Sequence, residues 1–141
     1  MYLQKIGPCG VKPLLNNHMI SIIICSVHLD LATICKQSIE KTTTLPHEVI
    51  IIDNREKNRS LSSVYNEHSK KAQYNILVFV HEDVEFLSNH WDTKLVSLLE
   101  QQNIGAVGVA GTNYLLDINS WVSAGQPFIK GRIAMPLQHD N

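Results

Sequence analysis

Residues 76–84 read ILVFVHEDV: five apolar residues without a break, closed by His81, Glu82 and Asp83. A run that is apolar at every position, rather than at alternate ones, has to be covered on both faces. That is the condition of a strand inside a parallel sheet. Parallel strands need long crossovers, so such a run constrains the chain to an α/β layout. In open α/β sheets, ligands bind beyond the carboxyl ends of the strands. The charged residues after Val80 therefore stand where chemistry is expected, and an oxygen-rich cluster there suits Mg²⁺ or Mn²⁺.

The rest of the chain supports this layout. MISIIICS (19–26) and EVIIIDN (48–54) are two further strands read as buried, and IGAVGVAG (104–111) is a fourth, punctuated by glycine. Helices fall between them. Asp30 is placed to N-cap a helix running to about Lys41 with Leu31, Ile34, Cys35 and Ser38-Ile39 on one face. Ser60 caps a second to about residue 73, with Leu61, Val64, Tyr65, His68 and Ala72 along one side. A third starts near Ser88 or Asn89 and points Trp91, Leu95, Leu98 and Leu99 one way. The order β-α-β-α-β-α-β predicts right-handed crossovers and a three-layer α/β/α domain around a mostly parallel sheet.

Residues 1–18 carry Gly7-Pro8, Gly10, Pro13 and Asn16-Asn17 and show no sustained period. They read as an irregular leader, with Met19 an alternative start. After Thr112, Gly125, Pro127, Gly131 and Pro136 predict loops and short strands.

Composition narrows the function. Twelve basic against thirteen acidic residues leave a formal charge of −1, with no basic stripe of the kind a nucleic-acid binder shows. Cys9, Cys25 and Cys35 have no metal or disulfide spacing; Cys25 and Cys35 lie in apolar patterns and read as packed thiols, which suits a reducing, cytoplasmic setting. The longest apolar run, residues 20–27, is far too short to cross a bilayer.

Three strands end in polar residues that a parallel sheet brings to one edge: Ser26-Val27-His28, Asp53-Asn54 and His81-Glu82-Asp83. One carboxylate there can accept from a base or ribose, and another can hold a cation against a diphosphate leaving group. Gly105-x-x-Gly108-x-x-Gly111 is not a dinucleotide fingerprint, and no P-loop pattern occurs. The bland readings are specific too: Asp53 and Asn54 as a turn cap, His81 as a hydrogen-bonded strand end, Glu82 and Glu85 facing solvent.

On ISIIICS (20–26), EVIIIDN (48–54), Val64-Tyr65-Asn66, VFVHEDV (78–84) and GAVGVAG (105–111), residues 19–115 resemble the donor-binding half of a family 2 glycosyltransferase of GT-A fold. The likeness is greatest to the streptomycin-biosynthesis-type branch. Together these segments span about two thirds of the chain, and their order and spacing are more specific than any one of them. The resemblance implies a Rossmann-like nucleotide-diphospho-sugar transferase architecture, truncated at its C-terminus. It implies a UDP- or GDP-sugar donor, an unknown acceptor, and Mn²⁺ or Mg²⁺ as cofactor. It also implies site residues. Ser26, Asp53, Asn54 and Asn66 would line the nucleotide site, with Asp53 on the base. Asp83 would face the metal, and His81 would stand where many members carry an aspartate.

Two departures accompany the likeness. Tyr65 occupies the place of an arginine that holds phosphates in many members, and residues 116–141 form only the start of an acceptor-side region. Asp117 and Asp140 are its acids, and neither lies in a motif that identifies the catalytic base. The expectation is therefore an inverting, metal-assisted hexosyltransferase-type domain that needs its acceptor half supplied. The alternative is a catalytically incomplete module that binds a nucleotide or a partner.

Overall fold

The computed structural model of the chain describes residues 2–5, 18–56, 59–102, 104–108, 111–112 and 129–130. The chain divides into two compact units, Met1–Val107 and Gly108–Asn141.

In the first unit the β-branched runs form three parallel strands: β2 (Ile20–Ser26), β3 (His47–Asp53) and β4 (Ile76–His81). The central pair is the core. Ile20, Ile22, Ile24, Ile76, Val78 and Val80 share one face of the sheet and are at most 4% exposed. Helix α1 (Leu29–Thr42) and helix α3 (Trp91–Leu99) cover that face through Ala32, Cys35, Ile39, Trp91, Val96 and Leu99. Helix α2 (Leu61–Ser69) covers the other face, with Val64 fully buried and the Tyr65 ring tilted against Phe79 at 4.8 Å between centroids. Burying each large aliphatic side chain in such a sandwich stabilises it by about 1.5–3 kcal/mol. Ser21, the polar residue inside β2, is tolerated because its hydroxyl donates to Glu48 Oε1 (2.5 Å) and accepts from the Tyr74 amide (3.0 Å).

The expected three-layer α/β/α architecture with a parallel open sheet is thus the fold, and several details correct the sequence reading. The sheet order is β3-β2-β4-β1-β5. Strand β1 (Tyr2–Lys5) comes from the stretch expected to be irregular and pairs antiparallel with β4, setting Tyr2 opposite Phe79. Within the fourth expected strand the described residues form β5 (Ala106–Gly108), which lies beside β1. β3 is an edge strand, half-buried along most of its length, so its apolar run is not covered on both faces.

Helix α1 starts earlier than expected. His28 is its N-cap, Asp30 falls in its first turn, and no side chain of the helix caps it. Its inner face is Ala32, Cys35, Ser38 and Ile39, while Leu31 and Ile34 are 37% and 52% exposed. Ser60 does cap α2, accepting from the Ser63 amide, but the helix ends at Ser69 and its Leu61 is exposed. The second unit contains the antiparallel pair β6 (Gly111–Thr112) and β7 (Ile129–Lys130). Cys9, Asp117, Trp121 and Asp140 lie outside the described residues.

Candidate functional site at the strand ends

Register decides which polar residues can act together. In the β2–β3 ladder Ser26 is opposite Asp53, and in the β2–β4 ladder Cys25 is opposite His81. Ser26, Asp53 and His81 therefore sit on neighbouring strands at the same edge of the sheet. The Asn54 amide donates to the Ser26 carbonyl (2.8 Å), extending the pairing one residue past β3.

Asp53 is exposed and engaged by Arg55, whose Nε reaches both carboxylate oxygens at 2.9 and 3.1 Å and whose Nη2 reaches Oδ2 at 2.5 Å. Those hydrogen bonds hold its carboxyl down at about 2, against an ordinary 3.8. Both partners face water, so releasing Asp53 to another ligand costs little. Asn54 has a different task. It is buried, its Nδ2 donates to the Arg59 carbonyl (2.9 Å), and its Oδ1 accepts from the Arg59 amide (3.2 Å). These two bonds close the loop that leads to α2, as the turn reading of this residue expects.

His81 Nδ1 and Asp83 Oδ1 are 2.6 Å apart, and both side chains are more than half exposed. Among the described residues no group of three or more His, Cys, Asp or Glu side chains gathers as a metal site. A pair of protein ligands still suits Mg²⁺ or Mn²⁺, which keep waters and take further oxygens from a bound diphosphate. Asn66 stands apart. It is exposed on α2 and, with Arg59, Ser63 and Lys70, lines a depression of ≈ 630 Å³ whose described lining contains none of Ser26, Asp53, His81 or Asp83.

Two residues at this edge carry more than the sequence reading assigned them. Glu82 was expected to face solvent; it is 5% exposed. Its Oε2 accepts from the amides of Val27 (2.8 Å) and His28 (2.9 Å), the two residues in front of α1. Burial pushes the Glu82 carboxyl up, but the Ser26 hydroxyl and the His28 and Val27 amides outweigh it and leave the net shift downward. Period-two alternation held the signal: Val78, Val80 and Glu82 share a face, so the residue after a buried Val80 and an outward His81 points inward. Tyr65, standing where an arginine was expected, tucks under β4 and donates from its hydroxyl to the Val80 carbonyl (3.1 Å). Burial raises its phenol to about 12, so it serves as a neutral donor and not as a phosphate-holding charge. Cys25 and Cys35 are buried free thiols whose pKa values burial raises.

An open α/β sheet whose parallel strands end in a common polar rim defines a GT-A-like, Rossmann-like domain. The model of the glycosyltransferase-like family matches residues 21–136, most of the chain, and the chain belongs to that family, of the family 2 kind. Its function is accordingly of the glycosyltransferase type. Neither a curated protein nor a solved structure matches it. Among the described residues, no helix is long and apolar enough to cross a membrane.

Proposed function

We propose that residues 19–115 bind a nucleotide-diphospho-sugar, UDP- or GDP-linked, in a domain that transfers the sugar to an acceptor hydroxyl, as in the streptomycin-biosynthesis-type branch. The observation that carries this reading is the register that sets Ser26 beside Asp53 and Cys25 beside His81, one polar rim across three parallel strands. In the reaction the acceptor oxygen attacks the anomeric carbon while the bond to the diphosphate oxygen breaks. The nucleoside diphosphate leaves with the electron pair, the acceptor proton passes to a base, and a single displacement inverts the centre.

Ser26 and Asp53 are the residues we assign to the nucleotide, with Asp53 exchanging Arg55 for a donor on the base. Asn54 supports them by holding the loop to Arg59. Asn66 is assigned a part only at the margin of the nucleotide. Asp83 and His81 would hold Mn²⁺ or Mg²⁺, which when bound neutralises the charge that develops on the diphosphate. Two buried free thiols agree with a reducing, cytoplasmic setting.

Calorimetric titration with UDP and with GDP, each with and without Mn²⁺, tests the reading. Binding of one nucleotide that tightens with Mn²⁺, and loses that dependence in Asp83→Ala, is the expected result. No binding of either nucleotide under any condition removes the donor site. Binding without hydrolysis or transfer, in this chain and in longer forms of it, leaves a nucleotide-binding module in place of an enzyme.

A further inference from the structure

The triplet His81-Glu82-Asp83 is split by the backbone. His81 and Asp83 project outward and meet each other at 2.6 Å, while Glu82 turns inward and is nearly inaccessible. The inward carboxylate reaches across 54 and 55 residues of chain to the amides that precede α1. α1 has no capping side chain of its own, so Glu82 supplies the negative group that its amino end favours. The same contact fixes the distance between the end of β2 and the turn that carries His81 and Asp83. That turn is closed independently by the Val84 amide on the His81 carbonyl (3.2 Å). On the other side of β2, the Asn54 amide on the Ser26 carbonyl joins β3 to the same rim.

We propose that Glu82 is the positioning residue of the donor rim: a strut from the turn bearing His81 and Asp83 to the backbone of Val27 and His28, holding the cation-facing pair in register with Ser26. The inference rests on the donor-site reading above, since the strut matters to function only if that rim binds a ligand. Reach, and not charge, is what the role requires. Aspartate keeps the charge but is one methylene too short to span the gap. Glutamine loses the charge but keeps an oxygen at the same reach for both amides.

Three forms of the full chain, native, Glu82→Asp and Glu82→Gln, are compared by two measurements: amide hydrogen exchange at Val27, His28 and Val84, and calorimetric affinity for UDP or GDP with Mn²⁺. Ser38→Ala is the stability control, because it releases the Phe86 amide (3.0 Å) further along the same connection without touching the rim. Glu82→Asp is expected to lose protection at Val27 and His28 and to weaken Mn²⁺-dependent nucleotide binding about tenfold or more, as loss of a supporting group around a metal ligand does. Glu82→Gln should keep both properties near the native level, and Ser38→Ala should lower stability while leaving affinity alone.

Native-like exchange and affinity in Glu82→Asp overturn the proposal. So does an affinity loss in Glu82→Gln as large as that in Glu82→Asp, which assigns the effect to charge. An equal loss in Ser38→Ala assigns it to general loosening and overturns it as well. If the native chain binds no nucleotide, the donor-site reading fails, and the exchange data still decide whether the strut exists.

Discussion

Glu82 and Asp92 are the two buried carboxylates among the described residues, and they use one device in two settings. Each spends a single oxygen on two consecutive amides: Glu82 on Val27 and His28, Asp92 on Thr44 (2.8 Å) and Leu45 (2.6 Å). Asp92 lies in the first turn of α3 and ties that helix to the connection between α1 and β3. Beside it in the chain are Trp91, whose ring meets that of Phe86 at 4.5 Å, and His90, held in the left-handed region at φ 59° with its amide on the Thr42 carbonyl (3.2 Å). Glu82 has exposed His81 and Asp83 on either side and Asp53 two strands away. The same hydrogen bonds therefore do different work. At the amino ends of the strands they close the domain, and at the carboxyl ends they hold the turn that carries the exposed His81–Asp83 pair.

The sharpest way to break that comparison is Asp92→Ala, which removes a fully buried carboxylate and leaves the Thr44 and Leu45 amides without their acceptor. We expect a loss of about 3 kcal/mol, read as a fall in urea midpoint at constant slope, with nucleotide affinity unchanged wherever the protein remains folded. A loss of affinity equal to that in Glu82→Asp would erase the distinction between the two ends. Glu82→Ala should cost less, about 1–2 kcal/mol, because Val27 and His28 are both exposed and water can reach the freed amides, whereas Leu45 beside Asp92 is half-buried.

Asp83→Ala should leave stability within about 0.5 kcal/mol, since the side chain is 64% exposed, yet abolish the effect of Mn²⁺ on nucleotide binding. The smallest effect concerns Asp53. Its carboxyl titrates at about 2 because Arg55 favours the ionised form, so the stabilisation from this pair is present above the ordinary value of 3.8 and fades as pH falls from there toward 2. Arg55→Ala should return the Asp53 titration, followed by carboxyl-carbon NMR, to near 3.8, and high salt should move the native value the same way.

Much of the architecture was legible in the residues. The strands at 20–26, 48–53 and 76–80 are long β-branched runs, and runs of that kind have few alternatives. The residue types at their ends pointed to one edge of the sheet. Side-chain direction was harder to read. Glu82 looked like a surface acid because its type is usually exposed, although the alternation from Val78 and Val80 already turned it inward. Asp92 was passed over for the same reason, although Asp92, Val96 and Leu99 recur at helical spacing on one buried face. Leu31 and Ile34 misled in the opposite sense: they share the helical period of the core face of α1 but lie at its flank, where the neighbouring element does not reach.

By itself, then, the amino-acid order determined the α/β class, the three parallel strands, the glycosyltransferase likeness and the candidate rim of Ser26, Asp53, His81 and Asp83. These follow from local period and residue type, which act over a few positions. The tertiary structure alone decided that β1 pairs with β4, that β3 lies at an edge, and that Glu82 joins the end of β4 to the start of α1. Each of these depends on a partner tens of residues away, and a hydrogen-bonding group shows its partner only when the chain has brought the two within reach.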